Sequence, residues 1–243
     1  MRLFVGLAPP AAVLDDLDAA CAPLRPGRED LRWTSRELWH ITLAFLGEVG
    51  EESLSRLQPR LERAARRHLT FGLSVAGAGA FPSPARANVL WGGLSGDRKT
   101  LGELAMSVGA GARRAGAPPP DEGRRYRPHV TLARCRVPVD VRSIVDALSG
   151  YQGPAWAVEE IFLIRSTLGG HPRYETLGTW KLKASSRPAR TDLSLPPGGT
   201  TPRTPGCLRR PAGLAPKTDL SLPPGGDDPP YPRLPPATGG PGA

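Results

Sequence analysis

Histidine is scarce in this chain, with four copies among 243 residues, and cysteine is scarcer still. The three cysteines, Cys21, Cys135 and Cys207, are odd in number and lack metal-ligand spacing. Neither a disulfide framework nor a zinc site is implied. No apolar run approaches the length of a membrane span. The one stretch that resembles a leader, Arg2 with Leu3 to Leu7, is interrupted by Pro9-Pro10 and followed by Asp15, Asp16 and Asp18, so a cytoplasmic protein with no membrane attachment is expected. Lysine is nearly missing too: 28 of the 32 basic residues are arginine.

The composition is uneven along the chain. From Ser185 onward, 15 prolines and 9 glycines fall within 59 residues that hold almost no aromatic side chain. Such a segment cannot bury enough apolar surface to offset the entropy of ordering it. It also repeats, because Thr191 to Gly199 (TDLSLPPGG) recurs as Thr218 to Gly226. Two copies this poor in apolar residues cannot stack into a core. The expected organisation is one folded body over residues 1–184 and a disordered Pro/Gly-rich tail over 185–243. The net charge is +9, of which the tail carries +3 and the body +6. Arg113, Arg114, Arg124, Arg125, Arg127, Arg134 and Arg136 lie close in sequence to the second of the motifs described next, and they predict a salt-sensitive attraction to a polyanion.

Two of the four histidines head tetrapeptides of one form, His40-Ile41-Thr42-Leu43 and His129-Val130-Thr131-Leu132. Each lies in an alternating apolar run, Trp39 to Leu46 and His129 to Cys135, that reads as a strand, in which residues i and i+2 share a face. A single copy is simply a strand with a polar face. Two copies facing one another across a groove offer an acid, a base and two hydroxyl donors around one small anion, which is sufficient for phosphoryl transfer with no metal or other cofactor.

The rest of the body alternates strands and helices. Leu3 to Leu7 reads as a strand and Ala11 to Cys21 as a helix entered through Pro9-Pro10. Glu51 to His68 carries Leu54, Leu57, Leu61, Ala64 and Ala65 at helical spacing. Leu69 to Ala76 and Asn88 to Leu94 read as strands on either side of a Phe81-Pro82-Ser83-Pro84 turn, and Lys99 to Ala115 as a second long helix. Val139 to Leu148 predicts a short helix, and Val158 to Thr167 with Tyr174 to Leu182 a closing pair of strands. Strands with segregated helices and a rough two-fold repetition fit an α+β architecture of two lobes.

The motif pair and its flanks resemble the 2H phosphoesterase superfamily, in particular its RNA 2′,3′-cyclic phosphodiesterases, once called 2′-5′ RNA ligases. The resemblance covers about Met1 to Lys183 and rests on Arg2 to Leu7 with Pro9-Pro10, on His40 to Gly47, on Phe81-Pro82-Ser83-Pro84 leading to Val89-Leu90-Trp91, on Arg127-Pro128-His129 running to Arg134, and on Phe162 to Ser166 before Tyr174 and Trp180. It implies two pseudo-symmetric lobes of antiparallel sheet backed by helices, each giving one motif strand to a central groove. It further implies that His40 protonates the departing ribose 3′ oxygen while His129 activates water, with no metal ion and no cofactor. The sequence alone leaves the two roles interchangeable, since the motifs are nearly symmetric.

Thr42 and Thr131 are expected to donate hydrogen bonds to the non-bridging phosphate oxygens. Arg134 and Phe45 each lie five residues beyond a motif histidine, and in similar proteins such positions help hold the nucleotide. Strict alternation sends them to the face opposite the histidines, so a direct role requires a bulge. His68 and His171 are expected to take no part in catalysis. The expected partner is RNA ending in a 2′,3′-cyclic phosphate, met by a monomer. Three alternatives share the motifs: a 2′-5′ RNA ligase, a 2′-5′ phosphodiesterase, and a groove that binds RNA ends without turnover.

Overall fold

The computed structural model describes residues 1–119, 125–167 and 173–184. The expectations for the tail, and the turn holding His171, lie outside them. The described chain runs β1 (Arg2–Leu7), α1 (Ala11–Cys21), β2 (Leu31–Trp33), β3 (Ile41–Glu48), α2 (Glu51–Ala65), β4 (Phe71–Ser83), β5 (Arg86–Gly96), α3 (Arg98–Ala115), β6 (Val130–Val139), α4 (Arg142–Ala147), β7 (Trp156–Val158), β8 (Glu160–Thr167) and β9 (Arg173–Lys181).

The strands form antiparallel ladders in the order β7-β4-β5-β6-β3-β1-β8-β9, with β2 also on β6. Read outward from the centre, β3-β1-β8-β9 and β6-β5-β4-β7 are matching four-stranded halves. Their build matches too, since β1-α1 leads to β3 as β5-α3 leads to β6. These are the two expected lobes of an α+β protein. The seam between them is thin, for β3 and β6 share a single ladder pair, Ile41 with Val130.

One continuous apolar core underlies both halves. Leu57, Leu61, Ala64 and Ala65 form the buried face of α2, and Leu101, Leu104, Ala105, Val108 and Ala112 that of α3. Each fully buried leucine contributes about 2 kcal/mol relative to an exposed one. The two helices run antiparallel: Arg56 Nε donates to the Ala115 carbonyl, Ser53 Oγ to that of Gly116, and Arg60 abuts Gly111. α3 ends at Gly116, whose φ of 80° is open to glycine without strain. No described helix is long and apolar enough to cross a membrane.

The structure departs from the sequence reading at one hairpin. Phe81, Pro82 and Ser83 belong to β4, and the turn falls at residues 84–85. Pairing with β5, Phe81 against Val89 and Ser83 against Arg86, extends the strand through a segment rich in turn formers.

Asp97 caps α3, accepting from the Thr100 amide at 2.9 Å and from the Thr100 hydroxyl at 2.6 Å. Replacing Asp97 with alanine is expected to lower unfolding stability by about 1 kcal/mol, measured as a shifted urea midpoint with unchanged slope.

Candidate active site

The single pair Ile41–Val130 fixes the site. One residue to either side, the antiparallel register sets His40 opposite Thr131 and Thr42 opposite His129, and directly opposed residues project from the same face. All four motif side chains therefore meet on one surface. Each of the four is half-buried.

The leucine of each motif is a bulge. On β3, Val5 pairs with Ala44 and Gly6 with Thr42, leaving Leu43 as an extra residue. On β6, Leu90 pairs with Ala133 and Trp91 with Thr131, leaving Leu132 extra. Leu43 with Ala44, and Leu132 with Ala133, are consecutively buried. The extra residue returns the next polar position to the histidine face. Phe45 pairs with Phe4 and Arg134 with Val89, partners that share a face with Gly6 and Trp91 respectively. The bulge that a direct role for Phe45 and Arg134 requires is thus present in both lobes. One side of the Phe45 ring is covered by Arg2, whose Cζ lies 4.8 Å from the ring centroid.

Each imidazole stands between two aromatic rings of its own lobe. His40 lies 4.6 Å from Phe4 and 5.3 Å from Tyr174 between centroids. His129 lies 5.2 Å from Phe81 and 6.3 Å from Trp91. Gly79, opposite Trp91 in the ladder, makes room for that indole, since a Cβ there would sit 2.3 Å from it. In the sequence these four aromatic residues belong to the motif flanks, with no place in the site. Nothing in their spacing shows that β1 and β9 meet at one histidine and β4 and β5 at the other.

The orientation of both rings is fixed in one way. His40 Nδ1 lies 2.7 Å from the Leu38 carbonyl, and His129 Nδ1 lies 2.7 Å from that of Arg127. A carbonyl can only accept, so each Nδ1 carries the proton and each Nε2 is left for chemistry. Tyr126 donates to the Thr42 carbonyl at 2.9 Å and anchors the first motif strand.

Burial lowers the affinity of both imidazoles for a second proton. For His40, desolvation outweighs the Leu38 hydrogen bond and, helped by the charges of His129 and Arg134, brings the pKa down to about 4. His129 is lowered as well, first by desolvation and then by Arg134 and Arg127, against the hydrogen bond to the Arg127 carbonyl. Arg134 acts electrostatically on both rings, as expected of a side chain on their face.

Of the arginines expected to cluster around the second motif, Arg127 and Arg134 act on His129, whereas Arg113 and Arg114 lie elsewhere. Arg113 and Arg114 lie in the last turn of α3, where Arg114 lines a cleft with Arg60, Arg63 and Arg67 along the α2–α3 seam. Arg127 covers the Phe81 ring at 5.1 Å. Arg124 lies outside the described residues. His68 Nε2 lies 2.8 Å from Ser107 Oγ on α3 and has a structural place there.

Two imidazoles and two hydroxyls on one face of a curled antiparallel sheet define a two-histidine phosphoesterase. The chain belongs to the LigT-like phosphoesterase family, which it matches over residues 7–91 and 94–174. It is 30% identical over 188 residues to the RNA 2′,3′-cyclic phosphodiesterase of Escherichia coli, covering 74% of this chain and 96% of that one. It is 29% identical over 197 residues to the protein of the same name from Thermus thermophilus, covering 75% and 91%. The crystal structure of E. coli LigT in complex with 3′-AMP is similar with a TM-score of 0.61 at 29% identity, covering 74% of this chain and 97% of that one.

A histidine whose pKa falls on folding favours the native state only while it is neutral. As pH drops from about 6.5 the unfolded chain takes up the proton first, so stability should fall until the pH reaches about 4, the folded pKa of His40. Urea midpoints measured from pH 7.5 to 4.5 should decline less steeply in His40→Asn than in the wild type. An equal decline would place His40 in water.

Proposed function

We propose that the protein hydrolyses RNA 2′,3′-cyclic phosphate ends to 2′-phosphates. The observation that carries this reading is the pair of Nε2 atoms, neither hydrogen-bonded to a described residue, on one face with two threonine hydroxyls. His129 Nε2 takes a proton from water as its oxygen attacks phosphorus. The bond from phosphorus to the ribose 3′ oxygen breaks, and His40 Nε2 delivers a proton to that oxygen. The product holds a 2′-phosphate and a 3′-hydroxyl. Thr42 and Thr131 donate to the non-bridging oxygens, where negative charge accumulates. Both proton transfers belong to side chains, so no step calls on a metal ion.

The assignment of the acid to His40 and the base to His129 follows the family resemblance, and burial lowers the proton affinity of both rings. Once protonated, the strongly shifted His40 is a strong acid. The phosphodiester supplies the negative charge that burial has withheld, and it stabilises the imidazolium when the substrate enters. Phe45 and Arg134, returned to the histidine face by the bulges, are proposed to contact the terminal nucleotide. The enzyme is proposed to act as a cytoplasmic monomer. Chemistry is proposed to reside in residues 1–184, since every residue named here lies within them.

Replacing either His40 or His129 with alanine should lower kcat by about 10²-fold or more, the worth of a positioned acid or base. The double variant should be little worse, because the two act as a unit. Activity should survive EDTA and follow a bell-shaped pH profile whose two limbs belong to the coupled pair. Activity lost to EDTA and restored by a divalent ion would refute the mechanism. Truncation after Ala184 should leave kcat within tenfold of the full chain; a larger loss in a folded product would give the tail a part in catalysis.

A further inference from the structure

The antiparallel helices α2 and α3 leave an open cleft of about 200 Å³ along their outer side. Arg60 and Arg63 of α2, with Arg67 in the turn that follows it, stand three and four residues apart along one wall, a row about 10 Å long. Ser107 and Arg114 of α3 line the other wall, with Gly111 between them facing Arg60 and adding no side chain. No carboxylate and no aromatic ring lines the cleft. Elsewhere on α2 the arginines are paired, Arg56 with Glu52 at 2.6 Å and Arg66 with Glu62 at 2.7 Å. The four that line the cleft make no side-chain hydrogen bond or ion pair with a described residue.

Four guanidinium groups gathered in one cleft repel one another until an anion enters between them. Each can give two parallel hydrogen bonds to phosphate oxygens. A single phosphate cannot reach both ends of such a row, whereas a short run of linked phosphates can. The cleft is smaller than the roughly 300–1,000 Å³ of pockets that enclose larger organic ligands, and it offers no ring on which a base could stack. It is therefore suited to phosphates and leaves a nucleoside outside. The chain's own Pro/Gly-rich tail, with a charge of +3, is no complement to it. Nor is the cleft part of the groove: Ile41 and Val130 turn into the core that the buried faces of α2 and α3 join, and the histidines stand on the other face of those strands. We propose that the α2–α3 cleft is a second anion site, which binds a compact oligophosphate, inorganic or carried by a nucleotide. The site is independent of the reaction proposed for the groove.

The probe is inorganic tripolyphosphate, titrated into the full chain and followed through the backbone amide resonances of both helices. Amides from Arg60 to Arg67 and from Ser107 to Arg114 should shift and saturate, whether or not the groove also takes the ligand. Shifts confined to the motif strands would overturn the proposal. Arg63→Gln combined with Arg67→Gln, both at exposed positions, should weaken that binding about tenfold or more. Arg86→Gln combined with Arg98→Gln removes as much charge from exposed positions outside the cleft and should leave it within about twofold. Equal weakening by the two pairs would reduce the effect to net charge and refute a built site. ATP should bind the cleft about as tightly as tripolyphosphate, and orthophosphate at least about tenfold more weakly. A much tighter ATP, or an orthophosphate as tight as tripolyphosphate, would overturn the assignment to an oligophosphate. An RNA oligonucleotide with an ordinary 3′-hydroxyl that depends on Arg63 and Arg67 where tripolyphosphate does not would give the cleft to the RNA backbone, against the proposal.

Discussion

The two halves of the sheet touch through one ladder pair, Ile41 with Val130, and the site depends on that contact. A longer pairing of β3 with β6 would zip the halves into a flat, continuous sheet and close the space between the motifs. A missing pairing would leave each histidine beside its own threonine, with no counterpart across the seam. One pair sets the register, which is enough to bring all four polar side chains to a common face. On either side the strands diverge, β3 toward β1 and β6 toward β5 and β2. Both Ile41 and Val130 are fully buried, so the join is held by the core beneath it as well as by backbone hydrogen bonds.

Around this seam each lobe solves the same problem in the same way. An imidazole proposed to exchange protons with substrate has to be dry enough to respond to a substrate's charge, yet fixed enough to aim. Aromatic neighbours from other strands of the same lobe remove water, and a main-chain carbonyl two residues earlier accepts a hydrogen bond from Nδ1–H. The cost is a lowered proton affinity in the free site, which an anionic substrate offsets. Arg134, whose charge reaches both rings, favours that anion while discouraging the protonation of both histidines before it arrives.

Much of the fold was legible because the pattern and its partner agreed. α1 is found where Pro9-Pro10 and the residues after it place it, and α2 and α3 follow their helical stripes to within a few residues. The repeated His-x-Thr-Leu identified the four central side chains of the site, since alternation needs only local sequence. The discrepancies arise where a distant strand decides. Phe81-Pro82-Ser83 reads as a turn by composition, but β5 holds it in the ladder. Phe45 and Arg134 read as facing away, because nothing local distinguishes a leucine in regular alternation from one that is bulged.

The sequence by itself determined which residues are proposed to carry the chemistry and that they come in two equivalent sets. Those properties follow from side-chain identity and a short-range period of two. Only the tertiary structure decided how the sets meet. The register at Ile41–Val130, the twin bulges at Leu43 and Leu132 and the aromatic neighbours of each imidazole all depend on strands far apart in the chain. Their energies come from ladder hydrogen bonds and burial shared between segments, so no window of one segment contains them.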